Sequence, residues 1–220
     1  MIPAPVLAKS AALETLRARW EATLLPAVSA KVADAHAHAQ KALTDALKAT
    51  TDGRPSLLKL NASPSLKAAY NRLDELREWL AGPSETSQRG KVRDFREAAY
   101  RLACELWLPM IPPEYLSRND HPPTQAEVRM IRAFPVHGYD IRRVLDGPID
   151  TAKRELKAAL ERAGRRGVAE GSAADTLAAW EHRAAGSLSR AVVTLLNDSA
   201  EHANTEAGKA LIHPDFIEGD

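Results

Sequence analysis

The chain is predicted to be all-α, with about seven helices, and three observations carry that prediction. Alanine, leucine, arginine, lysine and glutamate dominate; aromatic residues make up only 5%. Apolar residues return every three or four positions through most of the chain, and proline or glycine clusters separate the periodic stretches. The abundant residue types lose little on entering a helix, and the β-branched and aromatic types that suit strands are scarce.

The elements follow in order. From Ser10 to about Thr50, Leu13, Leu16, Trp20, Leu24, Val28, Val32, Leu43 and Leu47 mark a long amphipathic helix, which Pro26 is expected to kink or split. TTDGRPS is a break. Leu66, Tyr70, Leu73, Leu76, Trp79 and Leu80 mark the next helix, closed by Ala81-Gly82-Pro83. The polar stretch PSETSQRGK leads to a helix from about Lys91 to Leu108, ended by Pro109, Pro112 and Pro113. PMIPPEYLSRNDHPP is not regular helix and reads as an ordered connector or a partner-contacting loop.

Thr124 can cap a short helix, QAEVRMIRAF, stopped by Pro135 and Gly138. Gly147 is expected to end a second short helix, and Pro148 to open a third in its first turn. That third helix places Ile149, Ala152, Leu156, Ala159 and Leu160 on one face and Lys153, Arg154, Lys157 and Arg162 largely on the other. Two more helices are expected, Ala173 to Ala184 and Ser187 to Ala210, before an acidic tail. The expected division is an N-terminal helical region, residues 1–83, built as a long helical hairpin. A C-terminal helical region, residues 84–220, contains the 122–166 segment, and the proline-rich connector joins the two.

Composition bounds the function. With 30 basic and 29 acidic residues the net charge is +1, so any basic surface must be local. The single cysteine, Cys104, excludes an internal disulfide and a cysteine-based zinc site, and its apolar neighbours point to a buried structural thiol. The N-terminus lacks a secretory pattern and no stretch is apolar enough to span a bilayer, so the expectation is cytoplasmic synthesis and no membrane partner. No phosphate loop, nucleophile elbow or His-Glu-x-x-His is present, and no cofactor is expected.

Residues 122–166 carry three functional readings. In the first, RAFPVHG at 132–138, preceded by Pro123-Thr124 and followed by a helix carrying LKAALERAG, resembles the Mu F-like minor head proteins of tailed phages. Arg190, Ala191 and Asn204 match a second helix of that family, although Leu196-Asn197-Asp198 stands where the family has an Arg-Thr-Glu word. The resemblance covers the C-terminal half. It implies a non-enzymatic part of a phage head, in contact with portal or capsid protein and ending in the virion, and on this leading reading no residue is catalytic.

In the second reading, Arg132, His137 and Tyr139 resemble the Arg-x4-His-x-Tyr motif of HEPN-domain ribonucleases. The resemblance implies metal-independent RNA cleavage, with the arginine stabilising phosphorane charge and the histidine moving a proton. In the third, IRRVLDGPIDTAKRELKAAL resembles the helix-turn-helix of sigma-factor region four. It implies a turn at Gly147-Pro148 and DNA contacts by Thr151, Lys153, Arg154 and Lys157. Elsewhere, His36 and His38 have the spacing of a metal-binding His-x-His, but on a helix the two point about 200° apart, which favours packing over metal ligation. Trp20, Trp79, Trp107 and Trp180 read as core or interface anchors.

Overall fold

A computed structural model describes residues 4–48, 57–84, 87–117, 123–133, 141–165 and 170–213. Among them are seven α-helices: α1 (Ala4–Lys48), α2 (Leu57–Asn61), α3 (Pro64–Ala81), α4 (Lys91–Trp107), α5 (Gln125–Ala133), α6 (Ile141–Arg165) and α7 (Glu170–Leu211). The connector after α4 holds two 3₁₀ turns, Leu108–Met110 and Pro113–Tyr115. No strand occurs among the described residues; an isolated antiparallel bridge joins Leu116 to Ile212. There the Ser117 amide donates to the Leu211 carbonyl and the His213 amide to the Tyr115 carbonyl, both at 2.8 Å. The fold is all-α, as the composition predicts.

At three expected breaks the helix is not interrupted. α1 runs through Pro26, α6 through Gly147-Pro148, and α7 through Gly186. A proline inside a helix leaves the carbonyl four residues earlier without its amide partner. For Pro26 that carbonyl belongs to Ala22, and both residues are exposed, so water can satisfy it. At Pro148 the crowding of a proline on the preceding residue is relieved because Gly147 has no Cβ, and an added Cβ there would meet nothing within 4 Å. Gly186 costs about 1 kcal/mol relative to alanine. Burying Trp180, Ala184, Leu188 and Val192 on the same helix outweighs that cost.

Several helix ends have evident chemistry. α5 opens with a capping box: the Glu127 amide donates to Thr124 Oγ1 at 3.3 Å, and the Thr124 amide donates to Glu127 Oε2 at 2.6 Å. After α3, Gly82 (φ +92°) and Gly90 (φ +124°) take backbone conformations that L side chains resist. The chain also passes very close to itself there, since a Cβ on Gly82 would lie 2.3 Å from the Arg89 carbonyl oxygen.

The chain forms two compact units, each assembled from stretches on both sides of residue 83. Unit one comprises Met1–Leu24, Leu80–Ile141 and Val192–Asp220. Its core gathers Leu13, Leu24, Val92, Phe95, Tyr100, Ile131, Leu195 and Leu211, with Trp20 packed edge-on against Phe95 at a ring separation of 5.7 Å. Cys104 is buried in this core, as its neighbours predict. Unit two comprises Leu25–Trp79 and Arg142–Ala191. Here α1 buries Val28, Val32, Ala35, Ala39, Ala42 and Ala46, alternating steps of four and three, the spacing that keeps one helix face against its neighbours in a bundle. All five apolar residues assigned to the inner face of α6, Ile149, Ala152, Leu156, Ala159 and Leu160, are buried. Trp180 is fully buried too, its indole N–H donating to the Ala152 carbonyl at 2.9 Å. No helix among the described residues is long and apolar enough to cross a membrane.

Candidate functional site

α4 has a hydrophobic inner face interrupted by two arginines, Arg93 and Arg96, both without solvent exposure. A guanidinium removed from water is tolerated only where polar partners take its donors. Arg93 Nε donates to the Ala81 carbonyl at 3.0 Å, and its Nη1 donates to the Arg132 carbonyl at 2.5 Å. Those carbonyls belong to the last turns of α3 and α5, where a helix lacks intrahelical donors and carries partial negative charge. Arg96 Nε donates to the hydroxyl of Ser199, a buried residue of α7, at 2.9 Å.

Arg132, at the end of α5, completes a reciprocal clamp. Its Nη1 contacts Glu97 and its Nη2 contacts Asp94, each at 2.7 Å. Nε and Nη2 also donate to the Gln88 carbonyl, at 2.8 and 2.5 Å. The side chain is only 16% exposed. Partial burial works to raise the Glu97 pKa, but hydrogen bonds from Arg101 and Arg132, with their charges, outweigh it and hold this carboxyl below the ordinary range. With all three guanidinium nitrogens engaged and two carboxylates beside it, Arg132 is a joint between α4, α5 and the turn before α4. A phosphate approaching it would meet those two negative charges. His137 and Tyr139, the other members of the ribonuclease pattern, lie outside the described residues, as do Phe134 to Gly138 of the Arg-Ala-Phe word.

The second helix of the Mu F-like resemblance has a comparable architectural role. Asn204 accepts the Trp107 indole N–H at both its backbone carbonyl (3.1 Å) and its side-chain oxygen (3.2 Å), joining α4 to α7. Gly208, one turn later, leaves room for the same indole, whose ring would lie 3.4 Å from an added Cβ. Asn197, in the divergent word, accepts from Arg17 Nη1 at 2.6 Å.

The third pattern requires correction. Because α6 is one helix from Ile141 to Arg165, Gly147-Pro148 is not the turn of a helix-turn-helix. Its proposed DNA-contacting residues also part company. Lys153 is tied to Asp74 of α3 at 2.7 Å, and Asp74 further accepts from Arg77 at 2.9 Å. Lys157 is exposed, and Arg154 donates to the Thr151 hydroxyl at 3.0 Å. His36 donates from Nδ1 to Glu181, whereas His38 faces Asp34 of its own helix at 3.9 Å. No group of three potential metal ligands occurs among the described residues.

No family model, curated protein or solved structure matches this chain.

One feature of unit two was not legible in sequence. Along the outer groove of α6 and α7, a recess of about 330 Å³ is lined by Pro148, Thr151, Glu155, Arg183, Ser187 and Arg190. A second, of about 340 Å³, is lined by Arg162, Asp175, Thr176, Ala179 and Arg183. The two share Arg183. Arg162 and Arg190 come from different helices and sit 28 residues apart in sequence, so no local spacing announces them.

Proposed function

We propose that this chain is a non-enzymatic helical assembly component, a tailed-phage minor head or portal-associated protein of the Mu F-like kind. The supporting observation is the use made of Arg132. The arginine of the Arg-Ala-Phe word holds α4 and α5 together through Asp94, Glu97 and Gln88, which is the work of a scaffold. Asn204, the matching residue of the second fragment, likewise anchors Trp107. Ribonuclease chemistry would need the Arg132 donors turned toward a scissile phosphate, at the loss of both carboxylate contacts.

The test is assembly. Light scattering after size-exclusion chromatography should show a defined complex when the chain is co-expressed with portal and capsid proteins encoded beside it. A chain that stays a compact monomer, with no such genes beside its own, overturns the proposal. So does metal-independent RNA cleavage that disappears in both Arg132→Ala and His137→Ala, an outcome that favours the ribonuclease alternative.

A further inference from the structure

We infer that the α6–α7 groove of unit two binds the phosphodiester backbone of double-stranded nucleic acid without regard to sequence. The inference is independent of the assembly reading and does not use the helix-turn-helix pattern. It rests on how the arginines of this groove differ from those elsewhere in the fold. Arg77 and Arg132 are 18% and 16% exposed and are held by carboxylates at 2.7–2.9 Å. In the groove, Arg183 is 50% exposed and meets Glu155 only at 3.5 Å. Arg162 and Arg190 are exposed, and among the described residues neither forms an ion pair. Arg162 donates from Nε to the Ala158 carbonyl of its own helix at 3.2 Å, and its terminal nitrogens and the Arg190 guanidinium have no carboxylate partner among the described residues.

The spacing selects the ligand. Arg183 and Arg190 lie seven residues apart on α7, about 10 Å along the axis. Arg162 of α6 shares the Thr176–Arg183 end of the groove. With Arg162 in the recess that Arg183 shares toward Thr176, the three guanidinium groups form a track longer than that span of about 10 Å. A single small anion engages one end of such a track, whereas a duplex carries a charge every ~1.7 Å along its axis and can engage all of it. Arg162, Arg183 and Arg190 outnumber Glu155 and Asp175 along the groove. Thr151 and Ser187 add hydroxyls of the type that pairs with phosphate oxygens. Guanidinium groups supply paired donors that match those oxygens in shape.

The experiment is fluorescence anisotropy of the full chain with a labelled DNA duplex across a salt series. Binding should weaken as salt rises, and the triple variant Arg162→Ala/Arg183→Ala/Arg190→Ala should lower affinity about tenfold or more and flatten the log–log salt slope by about 2–3. The matched variant Lys41→Ala/Lys48→Ala/Lys67→Ala, which removes three exposed cations outside the groove, should bind like the parent chain. Circular dichroism of both variants checks that helix content is retained. Restoring charge with Arg162→Lys/Arg183→Lys/Arg190→Lys should recover most of the slope. The inference is overturned if the parent chain does not bind at low salt, or if both alanine triples weaken binding equally. It is also overturned if polyglutamate displaces the duplex at equal charge concentration, because the groove then accepts acidic polypeptide just as well.

Discussion

The buried guanidinium of Arg93 donates to the backbone carbonyl of Arg132 at 2.5 Å, while the Arg132 side chain reaches Asp94, the residue next to Arg93, at 2.7 Å. Each arginine thus completes the other's helix: one satisfies the open end of α5, the other anchors α5 to α4. Arg93→Ala would leave the carbonyls of Ala81 and Arg132 short of a donor and open space in the core. A loss of about 3 kcal/mol is expected, measured by urea denaturation. Arg93→Lys should recover only part of it, because a single ammonium cannot reproduce the forked geometry.

Arg132→Ala should cost less, about 1–2 kcal/mol, since its carboxylate partners are partly hydrated. A double-mutant cycle with Glu97→Gln should give a favourable coupling energy. Additive effects would show that the contact does not contribute to stability.

Removing the cap of α5 isolates a local term. Thr124→Ala eliminates the hydroxyl that accepts the Glu127 amide and should cost about 1 kcal/mol. Thr124→Ser should be close to neutral. Thermal melts of the three proteins make the comparison.

Stability should fall in two stages as the solution is acidified. Burial pushes the His202 pKa below the ordinary imidazole value, with Arg96 and Lys209 adding to the effect and Glu206 opposing it. The folded chain therefore favours neutral His202. Stability is full above the unfolded pKa of about 6.5 and declines as pH falls through the lower folded value. Glu97, also depressed when folded, keeps its contribution above about pH 4.5 and loses it as pH falls through its own folded value. Urea midpoints measured against pH should show both stages. His202→Gln should remove the upper one, and Glu97→Gln the lower.

Two helical glycines should respond differently to alanine. At Gly186 an added Cβ meets only the mobile end of Arg190, 3.7 Å away, so Gly186→Ala should stabilise the chain by about 1 kcal/mol. At Gly208 the Cβ would press on the Trp107 ring at 3.4 Å, so the gain should shrink or reverse. Melting temperatures decide both.

Period and punctuation foretold much of the fold. The helical character of the chain, the closure of α3 by Gly82, the extent of α4, the Thr124 cap and the buried face of α6 were legible because each depends on residues within a few turns of one another. Gly147-Pro148 and Gly186 were over-read as breaks, and Pro26 does not split α1. Local propensity is a small term, and the packing of an entire helix face overrides it.

The sites show the same division. His137, Tyr139 and the other residues at 134–140 lie outside the described structure, and Arg132 shows why a motif in a linear chain is ambiguous: its work depends on Asp94, Glu97 and Gln88, some 35 to 44 residues away. By itself the sequence determined that this protein is helical, where α3 and α4 end and where α5 begins, because caps, turns and periodicity act over one or two turns. Only the tertiary structure decided which cations are consumed in ion pairs and which are left open in the α6–α7 groove. Charge pairing is set by distance in space, and Arg162 and Arg183, from different helices, come to line one recess only after the helices have packed.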